Sequence, residues 1–449
     1  MNKVIDTRFS DCLAMEGIRA KVTVKPEPVS ALAHLDVMIA AEQFASALKK
    51  IFIPNEFSLA FIREMIGKAA VHNQQLFTSE VAYASKIFNP PEVEVFPVCL
   101  TGLAGVGKSE TIAALRKVLP RPVELSCDLY EGTVTLMSHW YASARGKASG
   151  KALLEDFVLG DGKRVGRTTV AQLLQESRSR ANRDGVCLAL LEEMQHSNTG
   201  SGATKVTDVL LTMASIGPPM VFVCNYSLGH KLFGRNSEDR QRLLSAPRIM
   251  LPDDPYGKDW QAYVAECLRV SNGIITVEPV ELAAELYRCT FGIKRLAVQL
   301  LALAYVECRI AGRQWVDLFD ITRAYRSAAY TVSAMEVEEL QLLALGGRKK
   351  KTNRDLQCPF DLPVAMRANV VNFARADRHE RVIATVYDSA MTEKERAIMK
   401  DICPPSLETS KSSRPRVRAP VVTLSADEQA NAFLEFIETV APQKPKKPK

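Results

Sequence analysis

The sequence contains no run of 18 apolar residues, so it offers no helix able to cross a bilayer. Its opening residues, MNKVIDTRFSDCLAMEG, lack the apolar core of a secretion signal. The expectation is a cytoplasmic chain with no membrane partner. None of its 10 cysteines falls in a Cys-x-x-Cys pair, which removes the usual spacing of a zinc site or redox motif. Cys99, Cys187 and Cys224 stand inside apolar runs, where cysteine behaves as a small buried hydrophobe. Bulk positive charge is also scarce over most of the chain. Residues 341–449 carry 20 Lys+Arg against 13 Asp+Glu, and the residues before them balance at 38 against 38. Any nucleic-acid contact outside the C-terminal quarter must therefore come from a local patch.

What is present is ordinary globular composition, 47% hydrophobic and 24% charged over 449 residues, enough for two or three packed units with tails. Residues 1–30 read as irregular, with VKPEPVS as a loop. From Ser30 to Ile87 the apolar spacing is helical, and Asn89-Pro90-Pro91 ends it. The run VEVFPVCLT then reads as a strand that delivers a glycine loop. After it, Glu110–Leu119 reads as a helix and Val123–Cys127 as a strand. Two helical stretches follow, separated by a Gly/Lys-rich segment around Ala142–Lys151. Val186–Leu191 and Met220–Cys224 read as strands, with a helix over Thr204–Ile216 between them. Strands alternating with helices predict an α/β fold with a parallel sheet covered on both faces. From Trp260 to Leu345 the pattern is wholly helical and reads as a lid. The predicted units are 1–90 (helical), 91–258 (α/β nucleotide-binding), 259–345 (helical lid) and 346–449. The last is a basic extension expected to be partly disordered, ending in QKPKKPK.

Gly102-Leu-Ala-Gly105-Val106-Gly107-Lys108-Ser109 matches G-x-x-x-x-G-K-[ST] in full, after a strand and before a helix. Glycines let backbone N–H groups wrap phosphates, and a helix N-terminus favours the anion. Lys108 is expected to reach the β- and γ-phosphates of ATP and Ser109 to ligate Mg²⁺, with Glu110 beside them in the first turn. Val186–Glu193 has the apolar-strand-plus-two-acids form of a Walker B motif. Glu192 stands where Asp is usual and is assigned to Mg²⁺. Glu193 is the candidate base that orients the attacking water.

Walker A, Walker B, a polar strand end at Asn225, an arginine cluster and Gly292-Ile-Lys-Arg295 follow in order, and together resemble the AAA+ superfamily. LTGLAGVGKSET, LLEEMQ, PPMVFVCNYSL and LPDDPYGKDW narrow the resemblance to the TnsC/TniB regulators of transposons. The resemblance implies that Asn225 is the sensor 1 residue and that Arg295 reaches the nucleotide from the lid. It places an arginine finger among Arg240, Arg242 and Arg248, with Arg242 the first choice. It also implies a ring or helical homo-oligomer of six or seven subunits per turn on double-stranded DNA. The implied partners are a TniQ/TnsD-type target selector and a TnsA/TnsB-type transposase, with disassembly on ATP hydrolysis. DNA-facing residues are expected after the second strand, at Thr133, Thr135, Arg145, Lys147 and Lys151, with Lys163, Arg164 and Arg167 extending the patch. A replication initiator or helicase loader shares every nucleotide motif and predicts a helix-turn-helix or winged helix within residues 350–449. A protein-binding NTPase switch and a metabolic P-loop kinase are the other readings.

Overall fold

A computed structural model describes residues 3–93, 95–127, 129–146, 149–159, 168–197, 202–346, 353–392 and 395. The residues described up to Val386 form one compact unit by their internal packing. Seven strands are present among the described residues: β1 Val98–Gly102, β2 Val123–Cys127, β3 Tyr130–Leu136, β4 His139–Ser143, β5 Leu188–Glu192, β6 Met220–Asn225 and β7 Pro247–Met250. Five of them form a parallel sheet in the order β4-β5-β6-β1-β7.

Burial along each strand follows from its place in that order. β1 and β5 are buried at every position, as central parallel strands covered on both faces must be. The outermost β4 alternates half-buried and buried residues. The other edge strand, β7, starts at Pro247, where a missing N–H costs no ladder bond. Helices Lys108–Val118, Glu56–Leu76, Val170–Arg183 and Gly202–Ala214 cover the sheet. Their ends are fixed locally: Asn55 accepts from Ser58 N, and Thr169 with Gln172 closes a capping box. This is a parallel, helix-flanked sheet of the α/β P-loop kind.

The sequence reading of residues 120–142 is corrected here. Val123–Cys127 is a strand, but it pairs antiparallel with Tyr130–Leu136 in a separate hairpin and adds nothing to the main sheet. The helical stretch expected before Ala142 is instead β3 and β4. The cause is visible in the residues: Thr133, Val134 and Thr135 are β-branched and suit a pleated surface. Leu125, Val134 and Leu136 pack on Ile5, Leu76, Phe77, Tyr83 and Ile87. Glu124, Ser126, Thr133 and Thr135 face outward.

Residues 1–30 are not wholly irregular either. Helices Lys3–Thr7 and Met15–Val22 form there, and Ile18 and Val22 are buried. The N-terminal helices join two parts of the chain. Ser58 Oγ lies 3.1 Å from Thr111 Oγ1 on the P-loop helix. Phe44 of helix Val37–Lys49 packs against Tyr305 of helix Lys294–Ile310, their ring centroids 5.5 Å apart.

The all-helical stretch holds Lys258–Ser271, Pro279–Thr290, Lys294–Ile310, Leu318–Arg326 and Thr331–Ala344. Its centre is Trp260, Tyr263, Tyr287 and Leu301, all buried. Among the described residues no single helix is long and apolar enough to cross a membrane. The bent pair Pro279–Thr290 and Lys294–Ile310 passes by length and composition alone, and both its members carry buried core residues. A 23-residue helix, Ala368–Ala390, follows. The tail, including QKPKKPK, lies outside the described residues, as do Lys147, Lys163, Arg164 and Arg167.

Candidate nucleotide site

The C-terminal ends of β1, β5 and β6 lie side by side, and the site is built there. β1 ends at Gly102, whose partner across the ladder is Asn225. The chain then loops over Leu103–Gly107 into helix Lys108–Val118. Gly105 and Gly107 take φ of 84° and 110°, left-handed values that L side chains rarely adopt. A Cβ at Gly102 would stand 2.3 Å from the Met250 carbonyl oxygen, so β7 also demands glycine there. Val106 is buried beneath the loop. The loop thus turns backbone N–H groups toward a helix N-terminus, a concavity suited to phosphate.

Lys108 is 7% exposed. Its Nζ donates to the carbonyl oxygens of Gly102 at 2.9 Å and Leu103 at 2.7 Å. Burial lowers its pKa to about 8, an effect opposed by Cys224 and Glu193 and reinforced by Arg295.

Glu192 ends β5 and is nearly as buried. Its Oε2 accepts from the Tyr141 hydroxyl at 2.8 Å. Burial raises its pKa, while the hydroxyls of Tyr141 and Ser109 pull it back. Its Oε1 is buried and has no hydrogen-bond partner. A buried carboxylate oxygen without a hydrogen-bond partner, on a side chain that also contacts the Ser109 hydroxyl, fits a hard divalent cation, which takes one or two protein oxygens and completes its shell with phosphate and water. Ser109 and Glu192 are therefore suited to hold Mg²⁺, which would neutralise charge on the phosphates. Among the described residues no cluster of three His, Cys, Asp or Glu offers a closed metal cage.

Glu193 sits one residue further on, with φ of 56°, a left-handed conformation that costs a non-glycine residue on the order of 1 kcal/mol. Its Oε2 accepts from Gln195 Nε2 at 2.8 Å and lies 3.1 Å from His196 Nε2. Asn225 leaves β6 with its side chain capping nothing. It lines a cavity of about 600 Å³ with Leu103, Ala104, Ile293 and Arg295.

Arg295 meets the P-loop directly. Its backbone N–H donates to Gly105 O at 3.4 Å, and a Cβ at Gly105 would lie 2.9 Å from its Nε. The lid helix is held in that place by Lys294, whose Nζ is 3.0 Å from Asp253 Oδ2. Asp253 also accepts from Asn55 at 2.6 Å. Gly292 permits the approach, since a Cβ there would meet Tyr287 at 2.8 Å and the Asp253 carbonyl oxygen at 3.1 Å.

The structure thus brings Gly102, Gly105, Val106, Gly107, Lys108, Ser109, Glu192, Glu193, Asn225 and Arg295 to one edge. Glu110 stands apart from this group. It is exposed and lines a second cavity, of about 580 Å³, with Lys49, Lys50 and Lys117. The three arginines of the finger interval separate by their contacts. Arg248 is engaged bidentately by Glu64, at 2.7 and 2.8 Å. Arg240 lies over the Phe233 ring. Arg242, on helix Ser237–Leu244, has a 3.8 Å contact with Glu238 and is exposed enough to reach outward.

The candidate DNA residues are not brought together. Thr133 and Thr135 sit on the hairpin, where Thr135 Oγ1 donates to Glu124 Oε1 at 2.6 Å. The hairpin joins the sheet at its N-terminal edge, where Met137 N donates to Asp184 O. Arg145 follows β4 at the opposite edge, about 16 Å away by the length of five strand residues. Lys151 starts helix Gly150–Leu159 beyond it, 3.8 Å from Glu155.

Sequence reading missed Tyr141 and Asp253. The alternation of Trp140 and Ala142 with polar neighbours was the signal for the strand that carries Tyr141. Asp253 had only its place in LPDDPYG.

A complete G-x-x-x-x-G-K-S loop at the end of a central parallel strand, faced by a lid arginine, defines a P-loop α/β fold. No protein-family model and no curated protein matches the chain. Among solved structures it is similar to the ORC2 protein of Aeropyrum pernix (ADPNP-ADP complexes) at 12% identity and TM-score 0.37, over 61% of this chain and 74% of that one. It is similar to the ORC1 protein of the same organism, solved in complex with DNA, at 15% identity and TM-score 0.36, over 66% and 81%. The RuvB Holliday junction branch migration motor of Thermotoga maritima aligns at 11% identity and TM-score 0.31, over 61% and 74%. The functional reading of this chain rests on its own residues.

Proposed function

We propose that this protein binds ATP-Mg²⁺ at Gly102–Ser109, hydrolyses it, and uses the cycle to regulate DNA transposition in the manner of TnsC/TniB proteins. The observation that carries the nucleotide reading is Glu192, whose side chain contacts Ser109 and keeps a buried Oε1 without a hydrogen-bond partner, beside a complete P-loop. In this reading the loop amides and Lys108 hold the phosphates, and Ser109 and Glu192 hold Mg²⁺. Glu193 orients the attacking water, Asn225 contacts it or the γ-phosphate, and Arg295 couples the lid to the nucleotide. An Arg242 from a neighbouring subunit completes the site, which makes assembly and hydrolysis interdependent.

The transposition reading rests on the motif resemblance. It assigns the protein a ring or filament on double-stranded DNA, six or seven subunits per turn, linking a TniQ/TnsD-type selector to a TnsA/TnsB-type transposase and dispersing on hydrolysis. The test is electron microscopy of the full chain with a nonhydrolysable ATP analogue, with and without double-stranded DNA. Closed rings or filaments on DNA, absent with ADP, are expected. Protein that stays dispersed on DNA in the presence of the analogue rejects the assembly reading and leaves a protein-binding switch as the alternative.

A further inference from the structure

Beyond the lid, residues 353–360 return to the nucleotide edge. Asn353 Nδ2 donates to Glu339 Oε2 on helix Thr331–Ala344. A short turn, Arg354–Leu356, follows. The Gln357 carbonyl oxygen lies 2.8 Å from His230 Nε2. Pro359 rests on Gly229, where a Cβ would stand 3.0 Å from its ring, and Phe360 packs edge-on against Phe233 at 5.8 Å. Gly229, His230 and Phe233 all belong to helix Tyr226–Phe233, which begins directly after Asn225. The segment is therefore a strap that ties the last lid helix to the helix following the strand-end asparagine.

The strap also supplies a wall of the cavity beside the P-loop. Arg354, Asp355 and Leu356 line it together with Leu103, Asn225, Lys231, Arg295 and Glu336. Three cations thus face two acids around the space next to Leu103 and Asn225. Arg295 and Arg354 come from different elements, and neither guanidinium has an ion pair among the described residues. Two arginine side chains that line one cavity without an ion pair leave guanidinium donors for an anion bound there.

We propose that Arg354 is a phosphate-binding residue acting within its own chain, and that the strap makes the site read the terminal phosphate of a nucleoside triphosphate. The proposal rests on the nucleotide reading above and deepens it. A triphosphate seated in the loop extends its last phosphate toward Asn225 and Arg295, and Arg354 closes on it from the strap. A diphosphate ends short of that cavity and leaves Arg354 without a ligand. The same contact pulls the lid helix holding Glu339 toward helix Tyr226–Phe233, so the strap transmits triphosphate binding to the lid.

The test is calorimetric titration of the full chain with a nonhydrolysable ATP analogue and with ADP, both with Mg²⁺. Loss of one charge-assisted hydrogen bond predicts that Arg354→Ala binds the analogue about ten-fold more weakly and ADP within about two-fold of wild type. Arg354→Lys recovers part of the loss, because it keeps the charge without the fork. Phe360→Ala, which loosens the strap away from the cavity, gives a smaller loss in the same direction. Unchanged analogue affinity in Arg354→Ala, or an equal loss for both nucleotides, overturns the proposal. Wild-type protein that binds neither nucleotide overturns the site reading itself. Lys108→Ala, expected to lose both, separates that outcome from failure of the strap alone.

Discussion

The two ends of the parallel sheet make an instructive pair. At the C-terminal edge, residues from β1, β5, β6 and the lid lie side by side, and several are buried or strained in ways that core packing alone does not require. Lys108 and Glu192 are buried ionisable groups, and Glu193 holds a left-handed backbone. At the N-terminal edge, the β2–β3 hairpin presents Glu124, Ser126, Thr133 and Thr135 on an exposed face, where Thr135 bonds Glu124 of the same hairpin. Burial of charge costs free energy and persists where a ligand repays it, whereas an exposed polar face costs nothing and implies nothing. The first edge carries a chemical argument. The second carries only position.

The largest expected effect breaks the first edge outright. Lys108→Ala removes the buried cation and should weaken ATP binding by about a hundred-fold or more, through loss of charge-assisted bonds to two phosphates. Fluorescent-nucleotide titration measures it, and wild-type affinity in the variant would remove the site assignment.

Next in size is Glu193→Gln. The Gln195 and His196 contacts hold the side chain in place, so the change removes basicity with little change of shape. Steady-state phosphate release should fall by about 10²-fold with nucleotide binding intact. A rate equal to wild type would move the water-orienting role away from Glu193.

The pH response sharpens the contrast further. Lys108 has a pKa lowered to about 8 by burial, well below its ordinary value of 10.5. The protonated form binds phosphate. As pH rises through 8, the nucleotide-free site loses that proton and binding must restore it. Affinity should therefore be flat below about pH 8 and fall by up to ten-fold per pH unit above it. Titrations between pH 7 and 9.5 check this, and a flat profile would show that the lysine does not contact the anion.

The smallest effect concerns DNA. If contacts lie on the C-terminal edge, Arg145→Ala with Lys151→Ala should lower the salt dependence of DNA binding by about one to two in log–log slope. Thr133→Ala with Thr135→Ala should leave it unchanged, because Glu124 already accepts from Thr135 on that face. The reverse result would place the DNA on the hairpin and undo the comparison.

Much of the nucleotide edge was legible in the residues. Gly102–Ser109 is a contiguous motif whose conformation is set by glycines within it, so its geometry is local. The acids after the β5 run and the asparagine after the β6 run were readable because long apolar stretches of this length can only be central strands. The hairpin was misread because residues 128–141 contain the β-branched triplet 133–135 within a stretch whose apolar spacing also suits a helix. Packing on Phe77 and Tyr83, distant in sequence, decided the outcome.

By itself, then, the sequence determined the phosphate loop, the alternation of strands and helices, and the helical lid, since each depends on spacing within a few turns or one strand. Only the tertiary structure decided that Tyr141 holds Glu192, that Asp253 and Asn55 fix the lid helix carrying Arg295, and that Arg354 returns to the same cavity. Those pairs lie tens to hundreds of residues apart, and no periodicity encodes them. They exist because burying the sheet and the lid brings separate polar groups into one low-dielectric space, where each must find a partner or a ligand.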